Sequence, residues 1–314
     1  MINANFVNQE SHIPVMLNEV LRFLQPQKNQ IIFDGTFGAG GYSQAILESC
    51  DCKVIAVDRD KNVQKFVDKI LEKFPQNFKF NFAKFSQIKQ VLANHDLEKI
   101  DGMVFDVGVS SMQLDERQRG FSFDSTQKLD MRMDQTQELS AYEVVNQFSV
   151  EDLTKIIRDF GDEPKAKKIA EKIATKRGKQ TITSCCELAD IVRSLYVGYY
   201  KTDPATRTFQ ALRIFVNNEL EELRLALDSA LHLLKTGGRM VVVSFHSLED
   251  KIVKDFFRSK SGITQSVSRY EPQAVEQMPK ILQLLNKSAI EPSDLEVKKN
   301  PRSRSAKLRA IIKL

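Results

Sequence analysis

Residues Ile31–Asp60 read IIFDGTFGAGGYSQAILESCDCKVIAVDRD. Ile31–Phe33 is an apolar run short enough to be a buried strand, and Asp34 stands at its carboxyl end. A glycine-rich turn follows, then a helical pattern over Tyr42–Glu48. Val54–Val57 is a second apolar strand, closed by Asp58. Strand, glycine turn, helix and strand in this order open a parallel sheet and place the turn where a nucleotide-bearing ligand is held. The turn is selective. A phosphate loop ends in Gly-Lys-Ser/Thr, whereas Gly40–Gly41 is followed by Tyr42. A dinucleotide fingerprint counted from Gly38 meets Ser43 where its third glycine belongs. The class left is S-adenosylmethionine, which has no pyrophosphate. It needs close backbone approach to its amino-acid half, and acceptors for its ammonium and hydroxyls. Gly38, Gly40 and Gly41 permit that approach, and Asp58 is placed to accept both ribose hydroxyls.

Outward from this stretch the alternation continues. Asn18–Leu24 is a short helix before it. Asn62–Lys73 is an amphipathic helix after it, with Val63, Phe66, Val67, Ile70 and Leu71 on one side. Phe78–Phe82 is a third strand, Ser86–Asn94 a helix, and Met103–Val107 a fourth strand with Asp106 near its end. Then the rhythm breaks. Residues 110–134, SSMQLDERQRGFSFDSTQKLDMRMD, read as polar loop ordered only by packing. Helical patterns follow at Ala141–Val145, Val150–Phe160, Pro164–Arg177 and Ser184–Ser194. The α/β pattern returns with one long helix over about Thr206–Leu234, stopped by Gly237–Gly238, and a fifth strand at Arg239–Ser244. Ser247 and Asp250 have capping-box spacing for a helix Leu248–Phe257, and Ile281–Leu285 and Ala310–Ile312 supply the last strands. A helix ending LKTGG before an apolar strand is a frequent mark of the fifth strand of methyltransferase cores. The expected fold is α/β, a Rossmann-like class I S-adenosylmethionine methyltransferase core with a mostly parallel seven-stranded sheet. That core is discontinuous, residues 1–109 and 214–314, around a mostly helical insertion at 110–213.

The chain has 314 residues, 42% hydrophobic and 28% charged, enough for a folded core of this size. Its longest apolar runs are far below membrane-span length. The polar start has neither a secretory nor a transit pattern, which favours the cytoplasm. Cys50, Cys52, Cys185 and Cys186 have no histidine near them, and no metal site is expected. The formal charge is +5. Two segments concentrate it: Lys165–Lys179, where Glu171 is the one acid, and Lys298–Leu314, which has none. Lys165, Lys168, Lys172 and Lys176 fall on one helical stripe with Ile169 and Ile173 opposite, a candidate phosphate-tracking face, as is Arg302–Arg309.

The whole chain resembles the 16S rRNA cytosine-N4 methyltransferase family (the RsmH or MraW family). The matching blocks are His12–Leu21 HIPVMLNEVL, Asp34–Gly41 DGTFGAGG, Ala56–Asp60 AVDRD, Asp101–Ser111 DGMVFDVGVSS and Gln113–Phe123 QLDERQRGFSF. Leu129–Asp134 LDMRMD, Pro204–Glu219 PATRTFQALRIFVNNE, Val243–Lys251 VSFHSLEDK and Asn300–Arg309 NPRSRSAKLR complete them in order. The resemblance implies transfer of a methyl group from S-adenosylmethionine, leaving S-adenosylhomocysteine, to N4 of one cytidine in the decoding region of 16S rRNA. It implies cofactor contacts at Gly40, Gly41, Tyr42, Asp58, Phe85, Asp106 and Gln113. Tyr42 replaces a histidine, and Met112 a proline, found in many relatives, and the segment between Arg269 and Ile281 is shorter than in some. The proline–proline–aromatic turn of many amine methyltransferases is absent, FDVGVSS standing in its place, and no residue is assigned as catalytic. Asp106, Ser110, Ser111 and His246 are candidates for holding the cytosine amine, although His246 also suits a helix cap. The base must be unstacked to react. Arg117, Arg119, Phe121 and Phe123 offer it charge and stacking surface, although Phe121 and Phe123 equally suit pinning the loop to the core. The implied partner is 16S rRNA, within the small ribosomal subunit, with the enzyme a monomer or homodimer. The rival readings are methylation of another RNA base and a non-catalytic RNA-binding protein of ribosome assembly.

Overall fold

The computed structural model describes residues 14–262 and 280–314. His12 and Ile13 of the first motif, the polar start and nearly all of the segment between Arg269 and Ile281 lie outside the described residues. The chain divides into two compact units. The first takes in the described residues up to Asp58, Asn62–Val107 and Ala226 onward; the second is Arg59–Lys61 with Gly108–Leu225. The second unit therefore reaches beyond the expected 110–213 and takes three residues from just after the second strand. The helix Ala205–Val216 explains the longer reach. It packs so closely on Val150–Gly161 that a Cβ on Gly161 would lie 2.6 Å from the carbonyl oxygen of Arg207.

In the first unit seven strands form one sheet: β1 (Ile31–Asp34), β2 (Lys53–Asp58), β3 (Phe78–Phe82), β4 (Ile100–Asp106), β5 (Leu234–Ser244), β6 (Leu282–Leu284) and β7 (Lys307–Lys313). Their order is β3-β2-β1-β4-β5-β7-β6. β1 to β5 are parallel, and β7 runs antiparallel to both β5 and β6. Ile32, Phe33, Val54–Val57, Met103–Phe105 and Met240–Val243 are buried, the continuous apolar runs of strands covered on both faces. The direction of winding reverses between β1 and β4, and ligands of such sheets sit at the carboxyl ends beside that switch. The register brings acids there. Asp34 lies opposite Ala56 and Val104, Asp58 opposite Phe82, and Asp106 opposite Val243.

In the second unit the helices Ala141–Gln147, Val150–Gly161, Ala166–Arg177, Cys185–Arg193 and Ala205–Val216 enclose one core. Leu153, Ile157, Ile169, Ile173, Leu188, Val192 and Leu212 are fully buried in it. The helix starts are written into the sequence: Ser140 with Glu143 and Ser184 with Glu187 form capping boxes, and Ser149 caps the helix that begins at Val150.

Four expectations need correction. The helix over Thr206–Leu234 is two helices, Ala205–Val216 and Glu219–Leu233. Asn217 breaks it by donating from its side chain to the carbonyl of Met131 and accepting from the amide of Met133, both at 2.7 Å, while Asn218 turns left-handed with φ 50°. Gly237–Gly238 do not stop a helix but lie within β5. Leu234 already pairs with Ile100, and the register shifts before Arg239 meets Gly102, the irregularity that Gly237 accommodates with φ 78°. The loop 110–134 contains a short helix, Ser111–Asp115, and a 3-10 turn at Arg117–Arg119. The capping box ahead of Ser247–Lys260 uses His246 and Glu249, not Ser247 and Asp250.

Candidate active site

β1 delivers Asp34 into the interior of the first unit, where it is completely buried. Its carboxylate accepts from Ser43 Oγ at 2.7 Å and from the amide of Thr36 at 3.1 Å. Burial outweighs those bonds and raises its pKa to about 6. The turn that follows is shaped by its neighbours. Gly40 is left-handed with φ 79°, and a Cβ on Gly41 would fall 2.2 Å from Cγ of Pro14. Tyr42 opens the next helix as a buried side chain whose hydroxyl donates to the carbonyl of Val15. Burial pushes its phenol well above the usual range. A tyrosine here therefore serves the core, and its backbone alone belongs to the turn.

Asp58 ends β2 and reaches back to the loop: its Oδ2 accepts from the amide of Gly38 at 2.8 Å. Phe85 follows β3, half-buried, its ring centroid 6.0 Å from that of Phe105. Asp106 ends β4, with its amide donating to Thr36 Oγ1 at 2.6 Å. Though the residue is half-buried as a whole, its Oδ1 is closed from solvent and has no hydrogen-bond partner among the described residues. Burial, and then the nearby charges of Asp34 and Glu249, hold its carboxyl well above the ordinary value. Six of the seven expected cofactor residues thus stand in the first unit, after β1, β2, β3 and β4. Gln113 stands in the second, where its side chain is already engaged. Its Oε1 accepts from the amide of Ser110 at 3.0 Å, and its Nε2 donates to Asp60 at 2.9 Å.

The sequence did not announce the network around Asp60. Arg119, expected to offer charge to the base, is 1% exposed. It donates to Asp60 at 2.8 Å and to the carbonyls of Arg132 and Met133 at 3.0 and 3.1 Å. Phe121 is buried, and Phe123 packs edge-on against Phe209, so both pin the segment to its own core; Arg117 stays exposed. His246 acts as a cap, accepting from the amide of Glu249. Two cations expected to face phosphate are also committed. Lys165 donates to the carbonyl of Leu195 at 2.8 Å, and Arg309 is paired with Asp250 at 2.7 Å.

An open sheet of this order with one reversed strand, a glycine turn after β1 and an acid closing β2, defines a Rossmann-like S-adenosylmethionine methyltransferase. The residues at its carboxyl edge fit that cofactor. Asp106 Oδ1, without a hydrogen-bond partner among the described residues, and the buried carboxyl of Asp34 suit a ligand bearing positive charge. The chain belongs to the MraW methylase family, whose model matches residues 9–314. It is 49% identical over 305 residues to the ribosomal RNA small subunit methyltransferase H of Wolbachia sp. subsp. Drosophila simulans (strain wRi), covering 97% of this chain and 99% of that one. The protein of the same name from Ehrlichia canis (strain Jake) is 48% identical over 96% of this chain and 100% of its own. That from Rickettsia bellii (strain RML369-C) is 48% identical over 98% and 100%. Among the described residues no helix is long and apolar enough to cross a membrane.

Proposed function

We propose that this enzyme methylates the exocyclic N4 of one cytidine in the decoding region of 16S rRNA, using S-adenosylmethionine, in the cytoplasm and on the small ribosomal subunit. It would act there as a monomer or homodimer. The whole-length correspondence with small-subunit rRNA methyltransferases carries this reading, because it includes the second unit as well as the sheet. When bound, the cofactor supplies an electrophilic methyl group on sulfur. The chain's own part is positioning and exclusion of water. Gly40, Gly41 and the Tyr42 backbone hold the amino-acid end, Asp58 takes the ribose, Phe85 flanks the adenine, and Asp106 offers its unpartnered oxygen to a polar group. Gln113, anchored on Asp60, fixes the start of its short helix. The second unit recognises the RNA.

Incubation of the protein with labelled methyl donor, small-subunit particles and naked 16S rRNA tests this. Digestion to nucleosides is expected to give labelled N4-methylcytidine from at least one substrate. Label on another base, or no label in either, would overturn the reading.

A further inference from the structure

The second unit carries a feature that its core does not require. Between the helices Cys185–Arg193 and Ala205–Val216 the chain reads LYVGYYKTD, residues 195–203. Val197 is 91% exposed, Tyr199 95% and Tyr200 43%. Large apolar groups standing this far into solvent, side by side, mark a contact surface. The loop beneath them is built, not loose. Tyr196 and Tyr200 meet edge-to-face at 5.3 Å, and the hydroxyl of Tyr200 donates to the carbonyl of Val197 at 3.1 Å. The hydroxyl of Tyr196 donates to Glu163. Lys165 Nζ lies 3.8 Å over the Tyr196 ring while bonded to Leu195. Gly198, with φ 100°, turns the tip, and a Cβ there would meet nothing within 4 Å.

The charge around the loop is uneven. Lys165, which braces the base, begins a helical stripe, and the exposed Lys168 and half-buried Lys172 share its face at spacings of three and four. Lys201 lies in the loop itself, exposed. Arg193, just before the loop, is instead shared among Asp124, Asp190 and Asp203. One cation among three acids leaves Arg193 unsuited to phosphate. An aromatic face held out by a braced loop that carries Lys201 and rests on Lys165 matches an unpaired base with its flanking phosphates.

We propose that Tyr199 and Val197 form a stacking platform for an unpaired base of the RNA substrate, with Lys168, Lys172 and Lys201 taking the neighbouring phosphates. The proposal rests on the reading of this enzyme as an RNA methyltransferase. It goes beyond that reading by assigning a contact made by the second unit, not by the base that is methylated.

The chain contains no tryptophan, so Tyr199→Trp installs a single indole reporter. Its emission is expected to be quenched by a single-stranded oligoribonucleotide, and not by the same sequence as a duplex or by inorganic polyphosphate. Tyr199→Ala is expected to weaken single-strand binding by about 5- to 150-fold, and Tyr199→Phe by less than about twofold, since stacking needs the ring and not the hydroxyl. Donor affinity by calorimetry should stay unchanged in all three variants. No quenching by the single strand, or equal affinity for Tyr199→Ala and wild type, overturns the proposal. So does a change of oligomeric state in Tyr199→Ala with RNA binding intact, which would make the patch a contact between copies. Methyl transfer by the wild type is measured in parallel. Quenching without transfer would sink the enzymatic reading and leave the platform standing.

Discussion

Asp58 Oδ2 accepts a 2.8 Å hydrogen bond from the amide of Gly38, joining the end of β2 to the glycine turn that follows β1. One carboxylate therefore shapes the glycine loop from the end of the neighbouring strand. Asp58→Ala is expected to weaken donor binding at least about tenfold, the scale of losing hydrogen bonds to a charged acceptor. Asp58→Asn, which can still accept from Gly38, should lose less. Titration calorimetry with S-adenosylmethionine and S-adenosylhomocysteine measures both, and equal affinity in Asp58→Ala would refute the assignment.

Asp34 makes stability depend on pH in a definite direction. Its folded pKa of about 6 stands above the ordinary 3.8. Between these values the folded protein keeps a proton that the unfolded chain has released, so stability falls as pH rises through the window. Above it the full cost is present, about 3 kcal/mol at pH 7. Asp34→Asn is expected to flatten the profile from pH 4 to pH 7 in urea unfolding. Parallel profiles for the two proteins would show that Asp34 does not titrate as described.

Arg119 and Asp60 form a buried ion pair within the second unit, with side chains 1% and 2% exposed. Removing the arginine takes the charge partner from a buried carboxylate that keeps its bond from Gln113, so Arg119→Met is expected to cost up to about 3–5 kcal/mol. Arg119→Lys should recover only part of this, because an ammonium cannot serve Asp60 and the carbonyls of Arg132 and Met133 from one plane. Urea midpoints at constant slope give the comparison. A loss below about 1 kcal/mol in Arg119→Met would mean the pair adds nothing net.

Lys165, at the N-cap of the helix Ala166–Arg177, and Lys168 within it should separate by role. Lys168→Glu is expected to weaken RNA binding and lower the salt slope by about one to two counterions. Lys165→Met should instead loosen the loop at Leu195 and Tyr196, lowering thermal stability with little change in the slope. Binding isotherms at several salt concentrations decide between them, and an unchanged slope in Lys168→Glu would remove this helix from the phosphate path.

How much of this was legible follows from where the information sits. β1, β2 and β4 are apolar runs closed by an aspartate, a local signal that survives into the structure. The break at Asn217 was hidden because the apolar period runs on through Val216 to Leu220. The helix ends for a tertiary reason, the bonds of one side chain to Met131 and Met133. By residue type Ser247 looks a better cap than His246, and the choice is made by Glu249, which accepts from the amides of Phe245 and His246. Arg119 sits in a polar run that reads as surface. Its burial depends on Asp60, fifty-nine residues earlier, a distance over which no periodicity speaks. At the sheet edge Gly40, Gly41 and Asp58 could be read from the turn itself, whereas the closed Oδ1 of Asp106 is a property of its surroundings.

β5 pairs with β4 along most of its length, yet residues 107–233 separate the two strands in the chain. During synthesis β1 to β4 leave the ribosome first, and one edge of β4 waits with its amides and carbonyls unpaired until β5 emerges. At ordinary elongation rates that interval is roughly 6 to 25 s. An apolar strand with an open edge is a template for pairing with another nascent chain. The helical unit, which is completed within that interval, thus also sets how long the growing sheet stays exposed.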